Sequence, residues 1–196
     1  MNRSFIIKSA LLSATVFLAA GCGTAAANGS SSTPAVSHPA AAVTVARSMT
    51  ILTGKMDGKP GWPKYTPSVW AAPQGSTVTL TIVSHDDGTA PLPSNSPYTK
   101  VSGTVTGNEL VDGKAVTTVN AQDVAHTFTV PGLNLNLPIP VAPTGGTVTV
   151  KATFKLPKSG TFDWQCEAPC GTGSTGWGGP MITPGFMEGS INITAQ

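Results

Sequence analysis

Four sulfur-bearing side chains crowd the last fifth of the chain. Cys166 and Cys170 stand in a C-x3-C spacing, and Met181 follows in the same glycine-rich stretch, "CEAPCGTGSTGWGGPMITPGFMEG". Upstream, His126 sits in "QDVAHTFTV". Thiolate, thioether and imidazole are soft or borderline donors, and a set made of them holds a soft metal ion. The same two cysteines could instead close a disulfide if the loop doubles back. The two outcomes exclude each other, because a metal needs deprotonated, unoxidised thiols. A third use, thiol–disulfide exchange, needs one exposed and acidified cysteine. Zinc held by His126 and the two cysteines is conceivable with water as fourth ligand. Two further candidate ligands are His85, which ends "STVTLTIVSH", and Met187, which follows Phe186. The loop glycines permit backbone angles closed to other residues, so the segment can fold back over a site. Trp164 and Trp177 are expected to shield the sulfur atoms from water.

Elements with β character must position these groups. "AVTVARSMTIL", "STVTLTIVSH", "AVTTVN", "AHTFTVPG", "TVTVKATFKL", "GTFDWQC" and "GSINITA" are rich in β-branched residues and alternate in polarity, which fits half-buried strands. "PQG", "PTGG" and "PKSG" punctuate them with turn chemistry. No segment has helical periodicity. The pattern predicts an all-β sandwich of about seven or eight strands in two sheets. "TVTVKATFKL–PKSG–TFDWQC" reads as a hairpin-like pair that delivers Cys166 at a strand end, and His126 falls at the start of an earlier strand. The proline-bearing insert between His85 and Gly113 is expected to form loops and a short hairpin.

A histidine on one strand, with cysteine and methionine in a loop between two late strands, resembles the cupredoxin family. "QDVAHTF" is similar to the "DVxHSF" stretch of cytochrome c oxidase subunit II, and "CEAPCG" to the C-x3-C-G of its copper domain. The resemblance spans roughly Trp70 to Ile193. It implies a cupredoxin-like Greek-key sandwich with copper held by His126, Cys166 and Cys170; Met181, the methionine nearest the cysteines in the loop, is the candidate for a further ligand. Where that family carries its second histidine and its methionine, this chain has Ser174 and Trp177. The copper site is therefore expected to be mononuclear or an atypical binuclear one. The implied role is electron transfer or copper handling, and not enzymatic turnover. The alternative is a metal-free structural or binding lipoprotein locked by a Cys166–Cys170 disulfide.

The N-terminus sets the compartment. Arg3 and Lys8 precede an apolar run that ends in "LAAGC", so residues 1–21 read as a signal peptide and Cys22 as a lipid-acceptor cysteine. Residues 22–42 form an Ala/Ser/Pro-rich linker in which His38 is inert, and 43–196 the domain. The expected location is extracytoplasmic, anchored to a bacterial membrane through the lipid or else secreted. A redox or copper-trafficking protein is the expected partner. Only 10% of the 196 residues are charged and the formal net charge is +2, so nothing supports nucleic-acid binding.

Overall fold

The computed structural model describes residues 43–196. The signal segment 1–21, Cys22 and the linker 22–42 lie outside the described residues. Among those described, no helix is long and apolar enough to cross a membrane.

Among the described residues, eleven strands build two sheets, more than the seven or eight expected. They are β1 (Thr44–Leu52), β2 (Lys64–Thr66), β3 (Val69–Pro73), β4 (Thr77–Ser84), β5 (Glu109–Val111), β6 (Lys114–Val116), β7 (Val124–Val130), β8 (Leu135–Pro140), β9 (Val148–Lys155), β10 (Gly160–Gln165) and β11 (Glu188–Thr194). The additional strands carry little alternation. β2 and β5 span three residues each, too few for a period of two to register. β8, "LNLPIP", contains two prolines, which lack the N–H a central strand needs, and it lies at a sheet edge. The "AVTTVN" strand stops early, at Val116.

One sheet has the order β2-β1-β4-β9-β5-β6 and the other β3-β11-β10-β7-β8. Long antiparallel and parallel ladders hold the first: β4 pairs antiparallel with β9 from Thr77↔Lys155 to Ser84↔Val148, and parallel with β1. Strict alternation on β4 buries Val78, Leu80 and Ile82, and on β9 Val148, Val150 and Phe154. Trp164 of β10, Phe128 of β7 and Tyr65 of β2 meet between the sheets, with ring centroids 4.9 to 6.3 Å apart. At about 25 cal/mol per Å2 of apolar surface, such rings contribute much of the driving force.

The expected β9–β10 hairpin does not form. The two strands belong to different sheets, and the "PKSG" turn crosses between them. Pro157 cannot continue the ladder because it has no N–H. Leu156 instead donates its N–H to Ser76 O at 2.9 Å, closing the end of the first sheet. β10 then pairs with β11 along its whole length and meets β7 at Gln165↔Thr129.

All seven residues of β7 are buried, so both of its faces are covered. The insert after His85 provides the outer cover. Ala90 N–H bonds Val124 O at 2.8 Å and Leu92 N–H bonds Ala121 O at 2.9 Å. Asn136 of β8 donates to the carbonyls of Tyr98 and Lys100 at 3.0 and 2.7 Å. Its side-chain oxygen accepts from Thr129, which in turn pairs with Thr127. The polar face of β7 is thereby satisfied in the interior. The insert's own hairpin is β5–β6, at its far end.

Candidate metal centre

β7 and β10 are antiparallel neighbours in one sheet with Gln165 opposite Thr129, so the residues that follow β10 run back alongside the earlier part of β7. A register shift between Val124 and His126 marks a bulge, the kind of irregularity that re-aims a side chain. Cys166 follows the last residue of β10 and is 2% exposed. Its backbone N–H donates to Met187 O at 2.8 Å, which ties the start of the sulfur-bearing loop to its end. The Thr127 N–H donates to Cys166 Sγ at 3.4 Å, and the Glu167 N–H donates to Thr127 Oγ1 at 2.7 Å. One thiol is thus fixed by backbone from two strands.

Cys170 reaches the same point from the loop, its sulfur 3.3 Å from Cys166 Sγ. Both cysteines are free thiols, not a disulfide. Met181, in a short 3-10 turn spanning Gly179–Ile182, brings its Sδ to 3.3 Å from Cys170 Sγ. This approach requires glycine next to Cys170. A Cβ on Gly171 would lie 2.2 Å from Gly178 O and 2.6 Å from Met181 Cγ. From outside, Trp62 packs edge-on against Phe186 with centroids 5.3 Å apart, and Lys59 lies over the Trp62 ring. The β1–β2 loop therefore clasps the outer side of the sulfur-bearing loop.

A ring nitrogen of His126 and the two cysteine sulfurs all lie within 4.8 Å of one another, the one such cluster among the described residues. His126 is fully buried, and its Nε2 is 2.9 Å from Asp86 Oδ2. Nδ1 is buried with no hydrogen-bond partner. That leaves Nδ1 as the nitrogen free to join the sulfurs.

The electrostatics follow from the packing. Burial disfavours a charged His126, but the hydrogen bond to Asp86 and the neighbouring Cys166 outweigh it and raise the imidazole to about 9. Burial also opposes ionisation of Asp86, yet its bond to His126 holds it below the usual carboxylate range. Cys166 is likewise pushed up by burial and pulled further down by Cys170 and His126, so it is the acidic member of the thiol pair. Cys170 moves up, first because it shares its hydrogen bond with Cys166. The result is a buried, acidified thiol, a second thiol, a thioether and a ring nitrogen without a hydrogen-bond partner gathered together. A soft cation fits this donor set.

The remaining sequence candidates fall elsewhere. His85 is half-buried beyond β4 and lies outside the cluster. The residue after it, Asp86, makes the contact with His126. Met187 is 1% exposed and packs in the hydrophobic core. Trp164 is buried as expected, but Trp177 is 46% exposed and does not shield the sulfurs, because it sits at the outer turn of the loop beside exposed Ser174. The sequence reading missed Asp86. No signal in "TIVSHDDG" selects it: the positions after β4 leave the ladder, so either acid can turn inward.

A cleft of about 310 Å3 opens beside the cluster, lined by Thr53, Lys55, Asp86, Asp87, Cys170 and Gly171 among others. It brings solvent to one wall of the centre.

No protein-family model matches the chain, and no curated protein is similar to it. Solved structures of rusticyanin are. A rusticyanin variant superposes with a TM-score of 0.42 at 15% identity, covering 77% of this chain and 78% of that one. Reduced rusticyanin gives 0.38 at 18% identity over 77% and 79%. Rusticyanin from Thiobacillus ferrooxidans gives 0.38 at 18% over 77% of each chain. Likeness at this level assigns no chemistry to the chain. The chemical reading rests on the donor atoms.

Proposed function

We propose that this chain is an extracytoplasmic, cupredoxin-like copper-binding protein. His126 Nδ1, the sulfurs of Cys166 and Cys170, and Met181 Sδ would hold the ion. The observation that carries the reading is a buried imidazole with a ring nitrogen within 4.8 Å of two thiols, one of them acidified, and with its Nδ1 partnerless. Copper bound to such a set supplies a one-electron couple between its cuprous and cupric states. The three sulfurs favour the cuprous state, which suits copper handling or a slow redox role.

The protein's own groups do the rest. β7 and β10 fix His126 and Cys166 before any ion arrives, so little reorganisation accompanies binding. Thr127 N–H stabilises negative charge on the Cys166 sulfur. Cys170 stands where the cleft meets the cluster, which supports entry from that side. The core beneath, Tyr65, Phe128 and Trp164, keeps water from the inner side of Cys166, while Cys170 borders the cleft.

The reading extends to residues 1–42 as a signal, a lipidated Cys22 and a tether. It places the domain at a membrane surface near a redox or copper-trafficking partner. Copper content and competition with a cuprous chelator test it on reduced protein. About one tightly held copper per chain, lost in Cys166→Ser, is expected. Uptake no greater than in the Cys166→Ser variant would reject it. A second reading, a metal-free protein locked by oxidation, draws on the 3.3 Å between the sulfurs. Thiol counting on native protein distinguishes it, since the copper reading requires two titratable thiols after copper removal.

A further inference from the structure

We propose that Asp86 is the positioning residue of this centre: its carboxylate takes the hydrogen bond of His126 Nε2–H and thereby turns Nδ1 toward the two thiols. The proposal rests on the copper reading above and deepens it.

Nε2 and Asp86 Oδ2 are 2.9 Å apart, while Nδ1 on the opposite side of the ring has no partner. A neutral imidazole donates from one nitrogen and offers a lone pair at the other, and the partner of the first decides which is which. Without a partner at Nε2, the ring could rotate about Cβ–Cγ and carry Nδ1 away from the sulfurs. The carboxylate is itself held in place. Asp86 Oδ1 accepts the Gly88 N–H at 3.1 Å, leaving Oδ2 for the imidazole. The Asp86 N–H bonds Ser84 Oγ at 3.3 Å, and its carbonyl accepts the Ala142 N–H at 2.9 Å. Both peptide groups and both carboxylate oxygens are thus engaged. This is how an outer-shell carboxylate orients a metal-binding histidine. Asp87, next in the chain, is exposed and lines the cleft without bonding the ring. It is the built-in control.

The test uses the domain labelled with 15N in its imidazoles, first metal-free and then loaded with cuprous ion. In metal-free wild type, the Nε2 proton of His126 should resonate downfield and exchange slowly with water, as expected for a buried imidazole proton held by a carboxylate. Asp86→Leu should lose that signal and weaken cuprous affinity by about 10- to 100-fold in chelator competition. Asp86→Asn keeps the shape and a neutral acceptor. It should retain the proton, less far downfield, and bind with intermediate affinity. Asp87→Asn should match wild type in both readings. Should Asp86→Leu fail to fold, the Asn variant decides alone. An unchanged Nε2 signal with unchanged affinity in the Asp86 variants overturns the proposal. If wild type takes up no copper, the copper reading fails separately. The metal-free signal then still judges Asp86: its loss in Asp86→Leu supports the orienting contact, and its persistence overturns it.

Discussion

His126 and Glu109 are both fully buried, both are raised to about 9, and both leave side-chain atoms without hydrogen-bond partners. Their surroundings make them opposites. Asp86 on one side and Cys166 nearby offset the burial of His126. Glu109, on the three-residue β5, is raised by burial alone, and both carboxylate oxygens are unpaired. The burial of the imidazole is therefore offset by polar partners, whereas nothing offsets the burial of the carboxyl. A buried orphan atom marks a binding centre when other donors converge on it, and a cost to stability when none do.

Four substitutions break or sharpen that contrast. The largest effect is expected at Cys166. Replacing an outer-shell partner costs about 10- to 100-fold in metal affinity, so Cys166→Ser, which removes a ligand, should exceed about 100-fold in cuprous chelator competition. The fold should persist, by circular dichroism, because the serine keeps the backbone bond to Met187.

Glu109 should act on stability and leave copper affinity alone. Its folded pKa of about 9 lies above the unfolded value of 4.5. Its contribution is thus fully present below about pH 4.5 and lost as pH rises toward 9. Denaturant unfolding should show wild type weakening across that window, with Glu109→Gln flattening the slope by on the order of a few kcal/mol. An identical slope in the variant would mean that the carboxyl finds water or a partner.

Gly171→Ala tests the closeness of the loop. The added methyl would meet Gly178 O and Met181 Cγ, so Met181 must withdraw. Cuprous affinity should fall by about tenfold, or roughly 1.4 kcal/mol, less than for Cys166→Ser. The smallest effect belongs to Trp62→Ala, which removes the Phe186 edge contact and the Lys59 cation–π contact. A loss of about 1 kcal/mol of unfolding free energy is expected, with little change in copper affinity.

Much of this architecture could be read from the residues alone. β4 and β9 announce themselves because each buries every second side chain over eight residues. The cluster of His126, Cys166 and Cys170 was accessible because soft donors are few and strand ends place them predictably. Asp86 was not, since "SHDDG" contains three groups able to turn inward and only the tertiary packing of the insert selects one. The β9–β10 crossing was hidden for a related reason. "PKSG" suits a hairpin turn as well as a corner between sheets, and long-range pairing of β10 with β11 decides. β8 was hidden by its prolines, and Trp177 by a loop path that alternation cannot foretell.

The most direct test of the central claim is X-ray absorption at the copper edge of the reduced, copper-loaded domain. The account predicts a first shell dominated by sulfur with a single imidazole scatterer, and loss of that imidazole contribution in His126→Ala. A shell made only of nitrogen and oxygen, unchanged by substituting His126 or Cys166, would contradict it.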